Sequence, residues 1–333
     1  METGPLSLID KYNRHLNYLR ISITDRCNLR CLYCTPRDGL PKLRHEDVLT
    51  YEEILRLASI AVKLGVEKIR LTGGEPLVRK SFHRLLPRLT SIPGLKDISL
   101  TTNGIYLTEN LGKIRSAGIR RINVSLDTLR RERYRKITGY DGFEQVREGI
   151  RLARKQGFDP IKINMVVMQG INDDEVADFA RLSLDHPYHI RFIEYMPSGC
   201  DDSDVRLRHV PNSVVKERLR IVGDLNQVSG QETDGPTVRF RFEGASGEIG
   251  FISPLTHHFC QVCNRLRLTA SGHLRPCLLS DQEIDLKNPM RAGASDSDLA
   301  QIFLKAVENK PRSHRLVSGH SGSLSGKMSA IGG

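Results

Sequence analysis

Between Tyr18 and Met196 the chain alternates short apolar segments with amphipathic helical ones six times over. That rhythm specifies an α/β protein on a parallel sheet with right-handed crossovers. The strand candidates are Leu19–Thr24, Lys68–Thr72, Asp97–Thr101, Arg121–Ser125, Ile161–Val167 and His189–Glu194. Each is rich in Ile, Leu or Val and is followed by a polar or glycine-bearing break. Thr50-Tyr-Glu-Glu53 reads as a capping box opening a helix to about Leu64, with Gly65 as its stop. Leu111–Ala117 ends at Gly118, Phe143–Gln156 ends at Gly157, and Asn172 is placed to cap Asp173–Leu184. An open, incomplete barrel and a doubly wound sheet both satisfy this pattern.

After Pro197 the rhythm changes, which divides the chain into segments 1–200 and 201–333. A polar loop from Gly199 to Asp204 precedes a short helix at Asn212–Leu219 and strands at Val238–Phe242 and Gly247–Ile252. Ser271-Gly272 reads as a hairpin turn between Leu266–Thr269 and His273–Leu274. A last amphipathic helix spans Asp296–Val307, and a Gly/Ser-rich tail ends at Gly332-Gly333.

Composition narrows the function classes. With 333 residues, 39% of them hydrophobic, the chain can bury a sizeable core. No apolar run approaches the roughly 18 residues that span a bilayer, and Met1 to Asn13 lacks a signal-peptide core. The expected compartment is therefore the cytoplasm, where seven cysteines point to metal or redox sites and not to disulfides. A net charge of +11 fits an anionic partner, either nucleic acid or a phosphorylated small molecule, and equally a basic surface that is simply solvated. Only 6% of residues are aromatic and none is tryptophan, so stacking platforms for single-stranded nucleic acid are scarce.

Cys27, Cys31 and Cys34 lie within eight residues, just past the first strand. Three thiolates on one loop can hold three irons of a four-iron cluster and leave the fourth open to a small molecule. A zinc knuckle with one further ligand is the competing reading. Thr72-Gly73-Gly74-Glu75-Pro76 follows the second strand, Thr101-Thr102-Asn103-Gly104 the third, Ser125-Leu-Asp127 the fourth and Met196 the sixth. Ligands of parallel α/β sheets bind at the carboxyl ends of strands, so these segments converge on one mouth. A second set, Cys260-Gln-Val-Cys263 and Cys277, reads alone as half of a zinc ribbon. Cys200 is a bystander thiol, and His257-His258 are set aside as ligands.

The first triad, with Tyr33 before its last cysteine and Gly-Gly-Glu-Pro at the second strand, resembles the radical S-adenosylmethionine enzymes. That resemblance implies a cluster whose open iron is chelated by the methionine moiety, with reductive cleavage yielding a 5′-deoxyadenosyl radical. The second triad, with Arg265-Leu-Arg267 inside it, and the segments Arg20–Cys27 and Arg191–Met196 resemble the GTP 3′,8-cyclase family over nearly the whole chain. The resemblance implies an incomplete (β/α)6 TIM-type barrel with a C-terminal cluster-binding domain. It also implies a second four-iron cluster on Cys260, Cys263 and Cys277, whose open iron faces the purine.

By that resemblance S-adenosylmethionine contacts fall on Tyr33, Gly74, Ser125 and Met196. GTP contacts fall on Arg20, Lys68, Arg70, Thr101, Lys162, Arg191, Arg265 and Arg267. Lys68 and Arg70 are two apart on one strand and so share a face, as do Arg265 and Arg267 if that segment is extended. The family's functional tail corresponds to Gly332 and Gly333, grouped with Arg265 and Arg267 as catalytic. The implied reaction abstracts the ribose 3′ hydrogen and joins that carbon to guanine carbon 8. It needs an electron donor, hands its product to a cyclic pyranopterin monophosphate synthase, and runs in a homodimer with no role for nucleic acid or membrane.

Overall fold

A computed structural model describes residues 7–35, 41–197, 202–229, 235–314 and 331. The six expected strands are present as β1 (Tyr18–Ser22), β2 (Lys68–Thr72), β3 (Asp97–Thr102), β4 (Arg121–Ser125), β5 (Ile161–Val167) and β6 (Tyr188–Glu194). Between them run α1 (Tyr51–Lys63), α2 (Phe82–Thr90), α3 (Leu107–Ser116), α4 (Arg131–Thr138), α5 (Phe143–Lys155) and α6 (Val176–Asp185). Strands β1 to β6 pair in sequence order, every pair parallel. Consecutive right-handed crossovers in one direction place the helices on one face. A doubly wound sheet would reverse its order at a switch point, so the singly wound, partial-barrel arrangement is the one this order matches.

The beginning of α1 follows the sequence closely: Thr50 and Glu53 form the reciprocal capping box, and Gly65 takes φ +100° just beyond the helix. Asn172 does not cap its helix. Its buried amide instead donates to the backbone carbonyls of Asp127 at 2.8 Å and Val166 at 2.9 Å, tying the ends of two strands together. A short 3-10 turn, Asp173–Glu175, then leads into α6. Arg130 and Arg131 at the start of α4 are exposed, whereas Arg133 reaches Asp174 at 2.5 Å and the buried Glu175.

The remaining elements are α7 (Asp202–Arg208), α8 (Asn212–Arg218), β7 (Leu225–Gln227), β8 (Val238–Phe242), β9 (Glu248–Ile252), β10 (Arg265–Leu268), β11 (His273–Arg275), β12 (Ile284–Asp285), α9 (Lys287–Arg291) and α10 (Asp296–Glu308). They extend the sheet at both ends. β10 lies parallel beside β1, and β9 lies parallel beside β6. Among the described residues the result is one 12-stranded sheet running from β12 to β7.

Strand side chains alternate, and here the alternation separates two environments. Leu19, Ile21, Ile69, Leu71, Leu100, Ile122, Val124, Ile163, Ile190 and Phe192 point to the helices and are almost wholly buried. Deleting any one of them to alanine costs about 2–5 kcal/mol. The opposite face carries Arg20, Lys68, Arg70, Ser99, Asn123, Lys162, Asn164, Arg191 and Arg267. Apolar packing is thus confined to the helix side of the sheet, and most of these polar side chains line a cavity on the other side.

Candidate active site

Three cavities adjoin along the concave face. The first is lined by Cys27, Cys31 and Cys34 together with Tyr33, Gly73, Gly74, Glu75, Thr101 and Ser125. The central one is lined by Arg20, Lys68, Arg70, Thr101, Lys162, Arg191, Arg265 and Arg267, and also by Tyr33, Ser125 and Met196. The third gathers Cys260, Cys263 and Cys277 with Arg265, Arg267, His258 and His314. Tyr33, Thr101 and Ser125 are common to the first two, and Arg265 and Arg267 to the last two. All residues expected for the two ligands therefore face this groove. Gly332, Gly333 and Cys200 lie outside the described residues, next to which Ile331 is buried.

The first cysteine loop is docked by backbone. Gly74 N–H donates to Thr24 O at 2.7 Å, and Glu75 N–H donates to Arg26 O at 2.8 Å. A Cβ on Gly74 would stand 2.4 Å from Arg26 O, so only glycine permits this approach. The buried Glu75 accepts from Thr102 Oγ1 at 2.7 Å and Asn103 N–H at 2.6 Å, locking the ends of β2 and β3 together. Burial pushes its carboxyl up to about 7, against the pull of those donors. Asp127 fastens the other side. It accepts from Tyr33 OH at 2.8 Å and Val166 N–H at 2.9 Å, and burial raises it to about 6.

Burial also raises Cys27 and Cys31, the latter well above the usual thiol range with help from Cys34 and Asp127. Metal binding at this loop must displace protons. Among the described residues no three His, Cys, Asp or Glu groups close on one point as a single ion requires. The thiols ring a cavity instead, a donor set that suits a multi-iron cluster with one open corner.

The register explains the cation cluster. Arg20 lies opposite Arg70 on β2 and Arg267 on β10; Lys162 lies opposite Asn123 and His189; Arg191 lies opposite Asn164. Tyr18, one pleat below, lies beneath Lys68, Arg70 and Arg265 at 5.3, 5.5 and 5.6 Å from its ring centre. Burial pushes its phenol up, but these cations and Arg20 outweigh it and bring the group down to about 8. Burial, reinforced by Arg191, Arg121, Arg70 and Lys68, lowers Lys162 to about 6. Among the described residues, Thr101 Oγ1, Asn164 Oδ1 and Arg265 Nε are buried and find no hydrogen-bond partner. Sequence reading missed Tyr18 and Asn164, although each stands two residues from a recognised cation on the same strand face.

The C-terminal triad is held from several directions. Arg14, paired with Asp10 at 2.6 Å, donates to Cys260 O at 2.6 Å. Buried Glu194 accepts from Leu255 N–H at 3.2 Å and Thr256 N–H at 3.1 Å, fixing the approach to Cys260. Burial raises Cys260; at Cys263 the charges of Lys310 and Arg265 outweigh burial and lower the thiol. His258, set aside from sequence, does line this cavity, its Nδ1 buried and without a hydrogen-bond partner among the described residues.

Residues 21–183 match the Radical SAM superfamily, whose members use S-adenosylmethionine with an iron–sulfur cluster, and residues 188–316 match Molybdenum Cofactor Synthesis C. The chain is 50% identical over 324 residues to the GTP 3′,8-cyclase of Moorella thermoacetica, covering 97% of this chain and 99% of the relative. It is 49% identical over 327 residues to that of Heliobacterium modesticaldum, covering 98% and 100%. Among solved structures, SuiB of Streptococcus suis bound to S-adenosylmethionine is similar in fold, with a TM-score of 0.57 at 15% identity over 92% of this chain and 78% of that one. On the relatives' identity and coverage, the chain belongs to the GTP 3′,8-cyclase family of the radical S-adenosylmethionine superfamily.

Proposed function

We propose that this chain converts GTP to (8S)-3′,8-cyclo-7,8-dihydroguanosine 5′-triphosphate for molybdenum cofactor biosynthesis. The observation that carries the reading is the run of three adjoining cavities: a thiol-lined one at each end and a basic one between, joined through shared residues. Cys27, Cys31 and Cys34 would hold one four-iron cluster, and Cys260, Cys263 and Cys277 a second. Bound with S-adenosylmethionine, the first cluster supplies a 5′-deoxyadenosyl radical. Tyr33, Gly74, Ser125 and Met196 would then orient the methionine and adenosyl moieties against the central cavity.

Arg20, Lys68, Arg70, Lys162 and Arg191 supply the charge that a triphosphate requires, and arginine forks suit its oxygens. Thr101 offers its unpartnered hydroxyl at the junction of the first two cavities. Arg265 and Arg267 border both the central cavity and the second triad, so they can steady a purine end turned toward that triad. The buried groove keeps water from a reactive sugar centre.

The same reading assigns residues 1–200 to the radical-forming unit and 201–333 to the unit that covers substrate, with Gly332 and Gly333 completing the site. It places the chain in the cytoplasm as a homodimer, supplied by an electron donor and followed by a cyclic pyranopterin monophosphate synthase. Among the described residues, no helix is long and apolar enough to cross a membrane.

The test is anaerobic incubation of reconstituted protein with GTP, S-adenosylmethionine and a reductant. Formation of 5′-deoxyadenosine should depend on GTP, and the cyclised nucleotide should appear in step with it. Cleavage that proceeds equally without GTP, or iron and sulfide too low for two clusters, would overturn the assignment.

A further inference from the structure

Lys310, just beyond α10, is only 2% exposed. Its ammonium donates to the backbone carbonyl of Arg265 at 2.9 Å and to that of Pro276. These carbonyls flank the second triad: Arg265 comes two residues after Cys263, and Pro276 immediately precedes Cys277. Carbonyl dipoles satisfy the donors but do not neutralise the charge. Burying an ammonium without an opposite charge is costly, and among the described residues Lys310 makes no ion pair.

Other buried lysines do not share this position. Lys68 lies 3.0 Å from Asp97, and Lys287 lies 3.5 Å from Asp47. Lys162 faces the central cavity, where a phosphate can reach it. Lys310 lines none of the three cavities, so substrate cannot supply its counter-charge. The neighbouring Arg14 already has Asp10. Among the described residues, the anionic group that its charge acts on is the Cys263 thiolate of the triad.

We propose that Lys310 is the buried counter-charge of the iron–sulfur group held by Cys260, Cys263 and Cys277, and that it raises the reduction potential of that group. The proposal rests on the two-cluster reading above. Reduction adds negative charge to a thiolate-ligated cluster, so a fixed cation in a low-dielectric setting favours the reduced form. Its hydrogen bonds to both ends of the hairpin also fix the distance between charge and cluster.

The test uses the full-length chain with Cys27→Ala, Cys31→Ala and Cys34→Ala, reconstituted anaerobically so that only the C-terminal cluster is read. Lys310→Arg keeps the charge, Lys310→Gln keeps a donor without charge, and Lys310→Met removes both. Iron and sulfide are measured first, then the midpoint potential by spectroscopic redox titration, with thermal melting as the control. The potential should shift negative in the Gln and Met variants and stay near the parent value in the Arg variant. Cluster loss from Gln and Met but not from Arg also supports the proposal. Unchanged potentials in Gln and Met, or an equal shift or loss in Arg, would show that Lys310 is only a strut and overturn it. A parent chain that takes up no iron and sulfide defeats the two-cluster reading itself, a result separate from any difference among the Lys310 variants.

Discussion

Arg20 on β1 and Arg267 on β10 are register partners on neighbouring parallel strands, so two buried guanidinium groups face one cavity side by side. Burial, and next the charge of Arg267, pull the Arg20 guanidinium well below its ordinary proton affinity. Burial, and next the charge of Arg265, bring Arg267 down to about 10. On the proposed reading, a bound polyphosphate offsets the repulsion between these like charges.

Arg267→Met should therefore separate stability from binding. The ligand-free variant should melt at the same temperature as the parent or higher, because one like charge has gone. GTP affinity should fall about tenfold or more, since a hydrogen bond to a charged group contributes about 1.5–3 kcal/mol and 1.4 kcal/mol is a factor of ten. Calorimetric binding and thermal melts check both. A lower melting point with unchanged affinity would contradict the assigned role.

Thr101→Val tests the unsatisfied hydroxyl at the junction of the first two cavities. Removing a buried orphan oxygen should leave ligand-free stability unchanged or slightly higher. Binding of GTP or S-adenosylmethionine should weaken by about 1 kcal/mol, the net contribution of one ordinary hydrogen bond. Titration with each ligand separately shows which of them uses the hydroxyl.

Lys162 gives a pH signature. Its folded value of about 6 lies below the ordinary lysine value of 10.5, so between those limits the unfolded chain binds more protons than the folded one. Stability contributed through this group therefore rises with pH across that window and is lost as pH falls through about 6. Lys162→Met should flatten that part of the melting-temperature profile. GTP binding near neutral pH should take up a proton at Lys162, seen as a binding heat that varies with buffer ionisation enthalpy and loses this component in the variant.

Gly74→Ala and Gly112→Ala form a matched pair. The new methyl at position 74 would collide with Arg26 O and C, backbone atoms that cannot yield cheaply, whereas nothing lies within 4 Å of the one at position 112. Gly74→Ala should lower iron retention and S-adenosylmethionine affinity together. Gly112→Ala, inside α3, should stabilise by about 0.5–1 kcal/mol through helix propensity alone. Iron content and thermal melts distinguish the two.

Much of the site could be read in the sequence because its signals are local. A two-residue period put Lys68 with Arg70 and Arg265 with Arg267 on shared faces, and strand ends located Cys27, Gly73 and Ser125 at one mouth. The helix α2 was harder to read, since Pro87 lies within its nine residues and disguises the periodicity. Asn172 read as a cap because its chain position suits one; its burial between Asp127 and Val166 redirected the amide to those carbonyls.

The sequence alone determined the six strand–helix units, the polar and apolar parity of each strand, and the two cysteine triads. Tertiary structure decided that β10 docks against β1 and β9 against β6, closing a basic groove between the triads. It also placed Tyr18 beneath three cations and the Lys310 ammonium on the carbonyls of Arg265 and Pro276. The physical reason is range. Parity and turns follow from each residue's near neighbours, whereas pairing between distant segments depends on loop closure and on which burial satisfies the most apolar surface and charge at once.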